Sequence, residues 1–346
     1  MIVGIACNVK PEEIRDLGLD EEPPSTGVLP EDTYAEWDTA QTIRAVAGAL
    51  ETRHRVKILV ANSDFARKLD GAGVEFVFNI AEGLSGAFRE SLVPALLEER
   101  NIPYTGSDPL TLALCLDKAR AKEILAYHGV PTPAFDVIHD AAEADRLQRF
   151  PLPAILKPLA EGSSKGIFDA NVVRTPDAAR GKARELLEKY RQPVLAERFL
   201  TGREFTVGVL GNPPHRKVLP IVEINFGELP PGANPIYSYE AKWVWDTPER
   251  PLEMFTCPAK LEPALQARIE VVVLDALRVL RVRDWCRVDV RLDEDGAPHI
   301  IELNPLPGIL PDPKENSCLP KAARAAGMTY EELILHVVEA ARARYA

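Results

Sequence analysis

Through its first hundred residues the chain alternates short apolar runs with amphipathic ones: 2–6, 56–60 and 74–80 read as strands, and 39–52, 63–69 and 89–99 as helices. That alternation leaves few folds open, because parallel strands need a crossover long enough to pack back on the sheet, and a helix supplies it. A parallel sheet covered by helices is predicted. The stretch 11–30, rich in acid, proline and glycine, interrupts the pattern and is predicted to be a surface excursion with too little apolar surface to bury itself.

Past Gly106 the reading changes. A helix is predicted over 110–128, ended by Gly129 and followed by Pro131 and Pro133. Strands at 135–138, 154–158, 167–173 and 194–199 with a helix at 176–191 form a small antiparallel α+β module. Strands at 204–210 and 217–224, a helix at 262–280 and a hairpin follow, the arms of the hairpin lying at 286–292 and 299–303 around the Asp-Gly signal of its turn 293–296. Helices at 319–326 and 330–345 close the chain. Domain boundaries are expected to give units 1–106, 107–200 and 201–346.

Charge and cysteine usage narrow the function. With 46% hydrophobic residues and a net charge of −11 the chain suits a folded protein with a large core, and it lacks the basic footprint that nucleic acid or an anionic membrane surface requires. Cys7, Cys115, Cys257, Cys286 and Cys318 are scattered and contain no C-x-x-C pair, so neither a zinc site nor a disulfide framework is indicated. The apolar start, 2–7, is too short for a signal peptide, and no run approaches a membrane span. A cytoplasmic protein with small-molecule partners is expected, and a homodimer is compatible with that.

The hairpin carries the strongest chemical signal. Period-two alternation puts Arg287, Asp289 and Arg291 on one face of its first arm and Glu302 and Asn304 on one face of its second. Burying such a face is costly unless a cation and an anionic ligand compensate it, and two carboxylates with an amide oxygen are hard ligands that suit Mg²⁺. A solvated edge hairpin would show the same alternation. A second signal is Lys157 at a strand end, followed by the small-residue loop Glu161-Gly162-Ser163-Ser164-Lys165-Gly166, whose free amides could cradle phosphate or merely turn the chain. A third is Glu197-Arg198-Phe199-Leu200 with Glu204 beyond, apolar surface edged by carboxylates, which could line an adenosine pocket or form an amphipathic edge.

In this order the segments resemble the D-alanine–D-alanine ligase family of the ATP-grasp superfamily over nearly the whole chain. The residues that carry the resemblance are Ile102-Pro103-Tyr104-Thr105-Gly106-Ser107, Leu116-Asp117-Lys118, Leu156-Lys157-Pro158 with Glu161-Gly162-Ser163-Ser164, Gly202-Arg203-Glu204-Phe205-Thr206-Val207, Tyr239-Glu240-Ala241-Lys242, Cys257-Pro258-Ala259, Arg287-Val288-Asp289 and Glu302-Leu303-Asn304-Pro305-Leu306-Pro307-Gly308. It implies an α/β fold of three domains, an N-terminal parallel α/β unit and two α+β units that clasp ATP. It further implies ATP, two Mg²⁺ ions (or Mn²⁺) and amino-acid substrates.

By the same resemblance Lys118, Lys157 and Ser164 are expected at the ATP phosphates, and Glu197, Phe199, Leu200 and Glu204 around adenine and ribose. Lys242 would reach the γ-phosphate. Asp289, Glu302 and Asn304 are the expected metal ligands, Arg287 and the backbone N–H of Gly308 the oxyanion stabilisers, and Ser163 and Ser317 neighbours of the two substrates. Glu36 is the nearest counterpart of the glutamate that holds the first substrate's ammonium. The implied reaction turns a carboxylate into an acyl-phosphate that an amine then captures, forming a dipeptide. D-Alanyl-D-alanine, a cell-wall precursor, is the first product to test.

The chain also departs from the family pattern. Glu82 stands where the family has a histidine, and with Arg89 it would change the charge of the first substrate's pocket. Trp243 follows Lys242 where peptide-forming members carry a tyrosine, and the segment 308–317 is longer than usual. A different amino-acid pair, a hydroxy-acid acceptor that would give a depsipeptide, and a nucleotide-binding protein without turnover are the competing readings. Against the last stands the full set Lys157, Lys242, Arg287, Asp289, Glu302 and Asn304.

Overall fold

The structure, a computed structural model, describes residues 1–19, 33–245 and 252–346, and the side chain of Trp243 also lies outside the description. Strands β1 (Ile2–Cys7), β2 (Arg55–Val60) and β3 (Phe76–Asn79) form a parallel sheet in the order β2-β1-β3, with helices α1 (Ala40–Glu51) and α2 (Phe65–Ala72) as crossovers. The middle strand is buried along nearly its whole length, as a strand covered on both faces must be. The side chain of Thr39 caps α1 by accepting from Thr42 N.

Part of the expected excursion is built into this unit. Pro11–Leu17 forms a 3-10 turn that buries Ile14, and Glu13 accepts a 2.6 Å hydrogen bond from Ala40 N at the start of α1. A carboxylate there satisfies a helix N–H that has no partner within the helix. Residues 20–30 of that stretch lie outside the described residues.

Helix α3 (Leu92–Glu99) leads towards α4 (Pro109–Leu116) and α5 (Lys118–Tyr127). The single helix predicted over 110–128 is thus two helices. Asp117 between them is extended (φ −77°, ψ 92°), and its side chain accepts from Ala119 N and Arg120 N, capping α5. An aspartate that bonds nearby backbone amides competes with helix continuation, and apolar periodicity alone does not reveal the break. One consequence is that Lys118 becomes the first residue of α5.

A second sheet, all antiparallel, runs β4-β7-β5-β6, from β4 (Phe135–Ile138), β5 (Ala154–Pro158), β6 (Val172–Val173) and β7 (Val194–Arg198), and α6 (Pro176–Tyr190) packs on it. The strand predicted over 167–173 shrinks to its last two residues. Asp169 is drawn into a 3-10 turn, where its carboxylate accepts from Asn234 N at 2.6 Å and its own N–H donates to Glu240.

The third sheet has the path β11-β10-β8-β12-β13, made of β8 (Glu204–Leu210), β10 (Val222–Ile224), β11 (Phe255–Thr256), β12 (Trp285–Leu292) and β13 (Pro298–Asn304), with β9 (Lys217–Val218) pairing β8. The strand predicted over 217–224 is two pieces with Pro220 between them, a residue that cannot donate to a ladder. Helix α7 (Pro263–Val279) covers one face, burying Ile269, Val273 and Ala276 against Val207, Val288 and Val290.

Helices α8 (Cys318–Ala325) and α9 (Tyr330–Arg342) return to the first sheet: Leu319, Ile334 and Val338 share one core with Val3, Ile5 and Phe78. Trp285 of β12 joins that core, its ring 5.5 Å from Phe78. Beneath it the fully buried Asp284 accepts from Gly106 N (2.8 Å), Asn212 (2.7 Å) and Arg344 (2.7 Å), tying the first sheet to the third. Buried charge of this kind persists only when every acceptor is used.

Candidate active site

A cavity of about 380 Å³ lies among the three sheets. The second sheet and the loop after β5 contribute Ile155, Lys157, Ser163, Ser164, Glu197 and Phe199. The third contributes Glu204, Arg287, Asp289, Arg291, Glu302 and Asn304, and the first unit Glu36, Glu82 and Glu90. Lys118, Leu200, Lys242, Gly308 and Ser317 of the expected set are also on its wall. Residues far apart in sequence are therefore neighbours here.

The hairpin faces as its alternation requires. Asp289 of β12 is directly across from Glu302 of β13, and Arg287 from Asn304. Arg287 Nη2 donates to Asp289 Oδ2 at 2.9 Å, and Asn304 Nδ2 to the same oxygen at 3.2 Å. Burial pushes the Glu302 carboxyl up, yet Lys118, Lys157 and Arg287 outweigh it and hold the group at about 2. Asp289 behaves in the opposite way: burial and the nearby Glu302 lift it above the ordinary carboxylate range against the pull of Arg287. Two carboxylates and an amide side by side on adjacent strands, one carboxylate carrying charge that its neighbour resists, form a donor set suited to a hard divalent cation.

Behind them is a chain of buried ions. Glu197 lies between Lys157 and Lys122, paired with both, and all three side chains are at most 4% exposed. Against the cost of burial the two lysines keep Glu197 below the usual carboxylate range, while Glu197 and Glu302 raise Lys157. Lys122 appears in no sequence motif above, although it is one turn from Lys118 on α5, the spacing that puts two residues on one helix face. Lys118 Nζ donates to the Glu161 carbonyl and is 3.7 Å from Glu302. Glu197, expected among the adenosine contacts, holds these lysines as well as lining the cavity.

The loop after β5 closes over this region. Ser163 and Ser164 both have left-handed backbone (φ 48° and 60°), and Ser164 Oγ donates to the Tyr237 carbonyl at 2.9 Å. A Cβ at Gly162 would meet the end of the Glu36 carboxylate, which could make room only by shifting from its place against Arg89. A π-helical turn (Ala241–Trp245) carries Lys242, whose ammonium burial and Arg287 push down to about 8. Ser317 staples the segment after β13, accepting from Leu310 N (3.2 Å) and donating to the Gly308 carbonyl (3.0 Å). The Trp243 side chain lies outside the described residues.

At the end nearest the first sheet, Glu36, Glu82 and Glu90 surround the guanidinium of Arg89. Arg89 Nη2 donates to Glu36 Oε1 at 2.7 Å and lies 3.5 Å from Glu90, and Nη1 donates to the Glu82 carbonyl at 2.7 Å. The carboxylates line the cavity, whereas Arg89, expected among the substrate contacts, stands one layer behind them. Burial and the neighbouring acids Glu90 and Glu36 push Glu82 well above the ordinary range. Burial, opposed by Arg89, brings Glu90 up to about 7. Glu90 is a further wall residue for which sequence reading assigned no role.

The family described as D-ala D-ala ligase C-terminus matches residues 124–339, more than half of the chain. The D-alanine–D-alanine ligase of Bordetella petrii is 37% identical over 79% of this chain and 78% of its own length. The chain belongs to the D-alanine–D-alanine ligase family. Membership makes it an ATP-dependent ligase that forms a carbon–nitrogen bond. The ligase of Bordetella pertussis is 38% identical over 78% of this chain and 79% of its own length. An uncharacterized protein of Sinorhizobium fredii, y4sG, is 36% identical over 78% of this chain and 75% of its own length. Among solved structures, the D-alanine–D-alanine ligase of Bacillus anthracis has a TM-score of 0.72 at 24% identity, covering 100% of this chain and 99% of that one. The same enzyme complexed with ATP has a TM-score of 0.69 at 23% identity. The fold expected from the sequence, ATP-grasp, is therefore the fold of this ligase-family chain.

Proposed function

We propose that this ligase activates an amino-acid carboxylate with ATP and joins it to the amine of a second amino acid in the cytoplasm, with a donor other than D-alanine as its best substrate. The γ-phosphoryl group passes to the donor carboxylate oxygen, ADP leaves, the acceptor amine attacks the carbonyl carbon, and phosphate leaves with the former acyl oxygen. The observation that carries this reading is the convergence of Lys118, Lys157, Lys242 and Arg287 with Asp289, Glu302 and Asn304 in one cavity.

In this reading Lys118, Lys157 and Lys242 neutralise nucleotide phosphates, which is most of what phosphoryl transfer asks of a protein. Lys242, at about 8, carries its charge at neutral pH and sits close to its titration. Arg287 and the Gly308 amide face the developing oxyanion, where one preorganised donor is worth about 2.7–4 kcal/mol. Asp289, Glu302 and Asn304 would hold Mg²⁺, which would add charge neutralisation at the phosphates. Ser163, Ser164 and the glycine loop exclude water above, and Ser317 positions the segment bearing Gly308.

The donor end supports the departure from D-alanine. Arg89 spends its donors on the Glu36 carboxylate and the Glu82 main-chain carbonyl, and burial pushes Glu82 and Glu90 towards their protonated forms, so the substrate meets carboxyl groups that want hydrogen-bonding partners. The test is ADP release over a panel of D- and L-amino acids and hydroxy acids with product analysis. A peptide product from an amino-acid pair supports the reading. ADP release that never yields a carbon–nitrogen bond overturns it.

A further inference from the structure

Arg291 is buried in the cavity wall, and most of its hydrogen-bonding capacity is idle. It lies directly across from Glu204 on β8, and its Nη1 donates to Glu204 Oε2 at 2.7 Å. The guanidinium sits 4.7 Å from the centre of the Phe199 ring and 5.4 Å from that of Phe226. Its Nε and Nη2 are buried and have no hydrogen-bond partner among the described residues. A guanidinium has five N–H donors and cannot shed its charge, so burying an unused edge is costly unless something supplies acceptors.

Its place in the cavity says what that is. On the same strand face the order is Arg287, Asp289, Arg291, so Arg291 is two residues, about 7 Å, beyond the proposed metal ligand. On its other side Phe199 packs with Ile155, Ile167 and Ile236, an apolar slot whose members all line the cavity and which suits a planar base. Between a phosphate end and a base slot lies a sugar. A sugar hydroxyl both donates and accepts, so it can give its hydrogen to Glu204 and take one from Arg291.

We propose that Arg291 is a nucleotide-specificity residue, its unpaired Nε–Nη2 edge donating to the ribose 2′-hydroxyl while Glu204 accepts from it, so that the pair selects ribonucleotides over 2′-deoxyribonucleotides. This rests on the ligase reading above. An apolar residue at 291 would bind the same base and phosphates but could not read the hydroxyl.

The experiment measures binding of ATP and 2′-deoxy-ATP to the wild-type chain, Arg291→Met and Arg291→Lys by calorimetry, alongside KM for ATP and for the amino acids. The wild type is expected to prefer ATP by about tenfold or more, the worth of one hydrogen bond to a charged group. Arg291→Met is expected to bind ATP about 10- to 100-fold more weakly and to bind both nucleotides alike, with KM for the amino acids unmoved. Arg291→Lys keeps the charge and loses the forked edge, so its affinity falls between the two while discrimination is lost. Equal weakening for both nucleotides, or wild-type discrimination in either variant, overturns the proposal. A wild-type chain that binds no ATP overturns the ligase reading and this inference with it, whereas wild-type binding with unchanged variants overturns this inference alone.

Discussion

Arg89 Nη2 donates to Glu36 Oε1 at 2.7 Å, with the two side chains 3% and 8% exposed. This pair lets three carboxylates share one corner of the cavity, and without the guanidinium they would face one another with no cation between them. Arg89→Leu is expected to lower folding stability by about 3–5 kcal/mol, the cost of removing one partner of a buried pair. The urea midpoint reads this directly. Arg89→Lys should fall in between, because one ammonium cannot replace the planar fork.

The same corner bears on substrate choice. Alanine offers one ammonium to a corner lined by three carboxyl groups, and its methyl group cannot hydrogen-bond with the others. With D-alanine as both donor and acceptor, kcat/KM is expected below about 10⁴ M⁻¹s⁻¹, the bottom of the ordinary enzyme range. Initial rates over D-alanine concentration decide it, and a higher constant means that these carboxyl groups are satisfied within the protein and leave an ordinary alanine pocket.

Glu90 gives a pH dependence whose sign is opposite to that of an ordinary paired carboxylate. Its folded pKa, about 7, is above the ordinary glutamate value of 4.5, so folding favours the protonated form. The benefit is complete below about pH 4.5 and is lost as pH rises towards 7, because the unfolded chain ionises while the folded one resists. Thermal unfolding from pH 4.5 to 7.5 should show a declining contribution from Glu90, of order 2–3 kcal/mol at most. Glu90→Gln, which has no proton to lose, should flatten that part of the curve, and superimposable curves would exclude the assignment.

At the hairpin, Glu302→Gln removes a charge that three cations keep in place. Turnover is expected to fall by about 10³-fold or more, since a metal held by this proposed ligand would supply several kcal/mol at the transferring phosphate. ADP release titrated with Mg²⁺ is the measurement. Parental turnover at ordinary Mg²⁺ would refute the ligand role.

Lys122 is expected to matter without reaching a substrate. Its ammonium pairs with Glu197 and donates to Thr132 Oγ1 at 2.8 Å, which links α5 to β7. Lys122→Met should lower stability by about 3 kcal/mol and raise KM for ATP, because Glu197 would then draw Lys157 towards itself. A thermal midpoint and KM equal to those of the parent would mean that Lys157 alone suffices.

By itself the sequence determined what depends on local periodicity and local chemistry. The parallel first unit, the hairpin, and the shared cavity face of Arg287, Asp289, Glu302 and Asn304 follow from alternation along the chain, since a period of two assigns each side chain to a face before any partner is known. The break at Asp117 was also local, but it lay in one side chain's choice to cap rather than continue a helix, which apolar spacing does not encode. Only the tertiary structure decided the charge partners. Glu36 and Arg89 are 53 residues apart and Glu204 and Arg291 are 87 apart, so no spacing rule links them. Whether a buried ion faces a substrate or a neighbour depends on which elements fold against it, and the electrostatic cost of burial makes that pairing obligatory once the core has closed.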